Sequence, residues 1–123
     1  MIEDYFREIA STIDSTAHIQ GSSVTYDMRT AHIGFLKGSL YFADGSVLHL
    51  REYVNVREVV ERYMYVYQYQ NPSGTLVFRY DNSPHFPQLP TLPHHKHHGT
   101  ESDVIAAKPP DLRTVLEEIA SLR

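Results

Sequence analysis

The chain has no cysteine among its 123 residues, which excludes disulfides and thiolate metal sites. No apolar run is long enough to cross a bilayer, and the opening Met1-Ile-Glu-Asp-Tyr lacks a basic-then-apolar leader. A cytoplasmic protein with no membrane partner is therefore expected. Internal repeats and low-complexity tails are also missing. Positive charge is scarce: 11 Lys and Arg against 15 Asp and Glu leave −4 with histidines neutral. That balance argues against a protein that coats nucleic acid non-specifically. Histidine is what the chain has in quantity. Protonating all eight would bring the count to about +4, and ordinary imidazole titrates near pH ~6.5. Hydrophobic residues at 41% and charged residues at 21% are ordinary for a globular chain, and the length fits one compact domain over 1–123.

The organisation reads as α+β. Ile2, Tyr5, Phe6, Ile9, Ile13 and Ala17 fall at helical spacing with Glu3, Asp4, Arg7, Glu8 and Asp14 opposite, which predicts an amphipathic helix over 2–17. Near the other end, Leu112, Val115, Leu116, Ile119 and Leu122 predict a helix over 111–122, with Asp111 as its N-cap. Between them, residues 22–82 read as an antiparallel sheet of about five strands built from hairpins. Residues 22–29 and 32–37 are strands, with Gly34 and Gly38 as bends or bulges. Asp44-Gly45 joins 40–43 to 46–54 as a hairpin turn in which both residues take positive φ. Asn71-Pro-Ser-Gly74 joins 62–70 to 75–80. Residues 55–61 read equally as loop or helical turn, and 103–107 could add a short strand.

Alternation assigns the faces. Tyr63, Tyr65, Tyr67 and Tyr69 share one side, and a four-residue loop would set Tyr69, Tyr67 and Tyr65 opposite Leu76, Phe78 and Tyr80 respectively. An aromatic sheet face can stack exposed bases, but two apolar helix stripes need a platform, so covering the helices is its expected task. His49, Arg51 and Tyr53 share a face, with Leu48, Leu50, Glu52 and Val54 on the other. If Arg51 and Arg79 lie on one exposed face, their guanidinium forks could clamp a phosphate.

Five of the eight histidines fall between Arg79 and His98, together with Pro84, Pro87, Pro90 and Pro93 at every third position. Three is the period of polyproline II, so 83–98 reads as a stiff extended arm. His85 and His94 would lie on one edge of it, about 28 Å apart at roughly 3.1 Å per residue. Three readings of this stretch compete. Metal binding would draw on His94, His95, His97 and His98, with His85, Asp81, His49 or His32 completing a site. An extended backbone splits the cluster between two sides, however, and no HExxH pattern is present. Phosphodiester cleavage of RNA without metal would use His85, His94, His95 and His97 for proton transfer, Arg79 for charge, and Asp81 to orient an imidazole. Arg51, Lys96, Asn82 and Tyr80 would then contact the substrate. The third reading is packing: Phe86, Leu89 and Leu92 lie along one edge, and Asp81-Asn82-Ser83-Pro84 is a turn sequence. PxxP spacing also suits an SH3 or WW ligand. Packing leaves four histidines in five residues unexplained.

Asp44-Gly45-Ser46, Leu50-Arg-Glu-Tyr53, Tyr65-x-Tyr67-Gln68, Phe78-Arg-Tyr-Asp-Asn82, Pro84-His85 and Pro93-His-His-Lys-His97 together resemble the TumE-type toxin family, from about Gly38 to the C-terminal helix. Ser83 and Phe86 depart from the Ala and His expected there. The resemblance implies a prokaryotic toxin whose partner is a DNA-binding helix-turn-helix antitoxin. The order of helix then antiparallel sheet is also similar to RelE-like ribonuclease toxins, an analogy of fold class. The expectation is an endoribonuclease with RNA as substrate and no required cofactor, a divalent metal and a homodimer being left open. The alternative from another class is a non-catalytic metal-binding or protein-interaction module.

Overall fold

The computed structural model describes residues 1–82, 95–99, 104–106 and 109–122. Helix α1 (Ile2–Asp14) is followed by β1 (Ile19–Met28), β2 (Ile33–Phe42), β3 (Val47–Asn55), β4 (Glu61–Gln70), β5 (Leu76–Asp81), β6 (His95–His98) and β7 (Val104–Ala106), then α2 (Leu112–Ser121). The strands lie side by side in chain order, and every neighbouring pair is antiparallel. The class is α+β, with seven strands among the described residues where about five were expected.

The unforeseen strand is β6, from the histidine cluster, while β7 falls within the 103–107 segment that could add a short strand. Main-chain donors and acceptors on the far side of β5 need partners. His95–His98 supplies them, pairing Asp81 with His95 and Phe78 with His98. These four residues are therefore sheet, and the extended-arm reading fails for them. His85, His94 and the period-three prolines lie outside the described residues.

β2 runs unbroken through both glycines that were expected to bend it. A Cβ on Gly38 would stand 2.2 Å from the Ser23 carbonyl oxygen and 2.6 Å from the Val24 Cα, so glycine lets β1 lie close. At Gly34 the obstacles would be the Phe6 ring and Ile2 on α1, at 2.5 and 2.7 Å. The register breaks fall elsewhere, between Ile19 and Gly21, Tyr53 and Val54, and Tyr69 and Gln70. The β2–β3 hairpin also differs from expectation. Its loop is three residues, closed by Phe42 N–H to the Ser46 carbonyl at 3.0 Å, and only Gly45 takes positive φ. Asp44 instead accepts from the Ser46 amide at 2.9 Å, bracing the turn.

Both helices cover the same sheet face. Leu36, Leu40, Leu48, Leu50, Tyr65, Tyr67, Tyr69 and Phe78 meet Ile9 and Ile13 of α1 and Leu112, Val115, Leu116 and Ile119 of α2 in one buried cluster. The tyrosine face thus supports the helices. Its register is offset by two residues from expectation: Tyr69 pairs with Phe78 and Tyr67 with Tyr80, which preserves the face. α1 stops at Asp14, before Ala17. The Ser15 and Thr16 hydroxyls both bond back to the Thr12 carbonyl, at 3.2 and 2.6 Å, offering the backbone an alternative to another helical turn. α2 begins at its expected cap, with the Asp111 carboxylate accepting from the Thr114 amide at 2.8 Å.

Candidate functional site

The helix-free face of the sheet is where polar chemistry collects. Strand alternation places Ser23, Ser39, His49, Gln68, Arg79 and His97 in successive register across β1 to β6. The next row brings Thr25, Lys37, Arg51, Val66 and Asp81 into register in the same way. Between these rows lies a groove of about 580 Å³ whose lining includes Lys37, Ser39, His49, Arg51, Gln68 and Arg79. Three permanent cations and an imidazole therefore face one concavity in a chain whose net charge is negative. Arg51 and Arg79 stand on strands separated by β4 and two residues apart in register, so their backbones are about 12 Å apart, a gap that two long side chains can close on one phosphodiester.

Neighbours hold the guanidinium of Arg79 in place. Its Nε donates to Asp81 Oδ2 at 3.0 Å and its Nη1 to Gln68 Oε1 at 3.3 Å. Asp81 is 3% exposed, and His97 Nε2 lies 3.6 Å from the same Oδ2. Arg79, Asp81 and His97 thus form one cluster at the groove wall, with the carboxylate between the guanidinium and the imidazole. The imidazole inside the groove is a different one. His49 is exposed and shares a 2.8 Å hydrogen bond between its Nδ1 and Ser39 Oγ.

Other residues expected at the site are placed differently. Lys96 and Tyr80 pair across β5 and β6 on the helix side, where both bind Glu118 of α2, at 2.7 and 2.6 Å. Lys96 Nζ also sits about 5 Å over the Phe78 and Tyr80 rings. Burial, with the hydrogen bond given to Glu118, pushes the Tyr80 phenol well above its ordinary value. Asn82 mimics a strand residue, accepting from the Tyr65 amide at 3.0 Å and donating to the Tyr63 carbonyl at 3.1 Å. His95 is in register with Asp81. His98 is exposed at the position opposite Phe78, one residue along from buried His97, so these two do not share a face. His85 and His94 lie outside the described residues. Among the described residues no group of three or more His, Asp or Glu could hold a metal ion.

Lys37 and His49 were not assigned to this site from the sequence. His49 was read on the face of Arg51, and that alternation was the usable signal. Lys37 joins them only when β2 is one strand, which the supposed glycine bends obscured.

The helix side holds a second polar cluster. Glu52 is fully buried and accepts hydrogen bonds from the Tyr5 and Tyr67 hydroxyls, while Arg62 Nη1 donates to the Tyr67 oxygen at 3.1 Å and to the Pro110 carbonyl. Burial raises the Glu52 carboxyl above its ordinary value against those hydrogen bonds and the Arg62 charge. It also lifts the Tyr5 and Tyr67 phenols, with Glu52 adding to the rise. This cluster ties α1, β3, β4 and the approach to α2 together under the sheet, remote from the groove.

A small α+β chain with a cationic sheet groove is one that can grip a polyanion. The family model described as Toxin TumE matches residues 9–123, and the chain belongs to that toxin family. It is therefore the toxin component of a toxin–antitoxin system, and an antitoxin is its partner. No curated protein and no solved structure matches it. None of the helices is long and apolar enough to cross a membrane among the described residues.

Proposed function

We propose that this toxin is a metal-independent endoribonuclease whose substrate backbone lies in the groove on the helix-free face. The observation that carries the reading is the convergence of Lys37, Arg51 and Arg79 on one concavity with the exposed imidazole of His49. RNA cleavage of this kind needs a base for the 2′-hydroxyl, an acid for the leaving oxygen and cations around the phosphate. The 2′-oxygen attacks the adjacent phosphorus, its proton passes to an imidazole, and the bond from phosphorus to the 5′-oxygen breaks. That oxygen takes a proton from solvent water, and the imidazolium returns its own to solvent. The products are a 2′,3′-cyclic phosphate and a 5′-hydroxyl.

His49, with Nδ1 engaged by Ser39, exchanges the proton through Nε2. Arg79, fixed by Asp81 and Gln68, and Arg51 stabilise charge on the phosphate. Asp81 and His97 act as positioning residues for Arg79. The proposed antitoxin is a helix-turn-helix protein encoded beside this chain.

His49→Gln retains a polar side chain of similar reach without a titratable nitrogen, and His49 is exposed, so folding is preserved. Cleavage of a mixed RNA in EDTA should fall by about 10²–10⁴-fold in that variant, the range for loss of a general acid–base group. An unchanged rate would remove His49 from the mechanism.

A further inference from the structure

An aromatic patch continues the groove along β2, β3 and β4. Phe35 is in register with Tyr53, and Tyr53 with Met64, on the helix-free face two residues beyond Lys37, Arg51 and Val66. The irregularity between Tyr53 and Val54 adds Tyr63 to this row. Met64 pairs with Tyr53 and Arg62 with Val54, so Tyr63 is the extra residue of a bulge. Arg62 consequently points to the helices, where it meets Tyr67 and Tyr65. Tyr63 turns to the other side, correcting the expectation that it joins Tyr65, Tyr67 and Tyr69. Its ring centroid is 5.4 Å from that of Tyr53 at 85°, and Phe35 stands 6.5 Å from Tyr53 at 74°. Asn55 Nδ2 donates to the Tyr63 hydroxyl at 2.8 Å, fixing that ring before any ligand arrives. Even so, Tyr53 remains 37% and Tyr63 47% exposed, a large aromatic area for solvent in so small a protein.

We propose that Tyr53 and Tyr63, backed by Phe35, form a base-stacking platform that holds unpaired bases of single-stranded RNA while Lys37, Arg51 and Arg79 hold its backbone. The inference rests on the ribonuclease reading above and gives that site its substrate class. Charge complementarity selects the occupant. A row of arginine and lysine one pleat repeat from an aromatic row, about 7 Å along the strands, matches a chain of alternating phosphates and bases. Base–aromatic stacking tolerates any sequence, because every base has a π-face, and it requires that the base be unpaired. The site therefore prefers single strands to duplex. The carboxylate in the same row, Asp27 on β1, is neutralised by Arg29 at 2.8 Å and does not oppose the backbone.

The test measures binding of a 2′-O-methyl hexamer, which lacks the nucleophilic hydroxyl and is not cleaved, against the same backbone without bases. The wild-type protein should bind the base-bearing hexamer at least about fivefold more tightly, the lower end of one stacked base. Tyr53→Leu and Tyr63→Leu should reduce that preference, and Tyr63→Phe should retain it. Equal affinity of the wild type for both oligomers would overturn the platform, as would a preference surviving in both leucine variants. In either case RNA cleavage in EDTA would still stand as support for the ribonuclease reading. Failure to bind either oligomer would sink both. If the leucine variants instead lose affinity only for the antitoxin, the patch belongs to that protein and the inference falls.

Discussion

Glu52 sits at zero exposure beneath α1, a position where a carboxylate is costly unless its oxygens are satisfied. Two tyrosine hydroxyls and the nearby Arg62 meet that need, yet burial dominates and raises its proton affinity. Folding therefore favours the protonated form. The stability it contributes is complete below the ordinary value of 4.5 and is lost as pH rises through the higher folded value. Glu52→Gln removes this titration. The melting temperature of that variant, relative to wild type, should shift in its favour between about pH 4 and about pH 7. A difference that stays constant across that range would contradict the assignment. At this scale the sequence was partly readable. Alternation along 47–54 placed Glu52 opposite Arg51 correctly, but nothing in one strand announces that Tyr5, forty-seven residues away, will close over it. Tyr63 was misplaced for a different reason: one extra residue in β4 reverses the face of everything before it.

Among the elements, α2 shows how a short helix is fixed by its first turn. Asp111 accepts from both the amide and the hydroxyl of Thr114, at 2.8 and 2.7 Å. Partial burial would raise this carboxyl, but the accepted hydrogen bonds and Arg62 outweigh it and hold it below its ordinary 3.8. Asp111→Ala should cost about 1 kcal/mol near neutral pH. The loss should shrink as pH falls below 3.8 through the lower folded value, because the cap is then protonated in wild type as well. Denaturant melts of the two proteins at each pH measure it, and a loss independent of pH would contradict the capping account. The cap and both helices were legible from local pattern, since capping chemistry and a 3.6-residue stripe are local. Strand β6 was not. His95–His98 has no apolar alternation, and it is a strand because β5 offers it an unsatisfied edge, which is a tertiary fact.

Taken as a whole, the sheet divides its labour between two faces. One carries the tyrosines, leucines and the Glu52 network under the helices. The other carries the cations, His49 and the aromatic row. Alternation sets Arg51 opposite Leu50 and Glu52, and Arg79 opposite Phe78 and Tyr80. Within one strand it leaves open whether the two arginines share a side, which the register through β4 decides. Read alone, the sequence assigns Lys96 and Tyr80 to the substrate, whereas the register turns both toward Glu118. The decisive measurement of the central claim is the chemistry of the cut ends. Incubated with single-stranded RNA in EDTA, the purified toxin should generate fragments ending in 2′,3′-cyclic phosphate and beginning with 5′-hydroxyl. Intact RNA, or fragments bearing 5′-phosphate, would contradict an imidazole-driven attack by the 2′-oxygen in this groove.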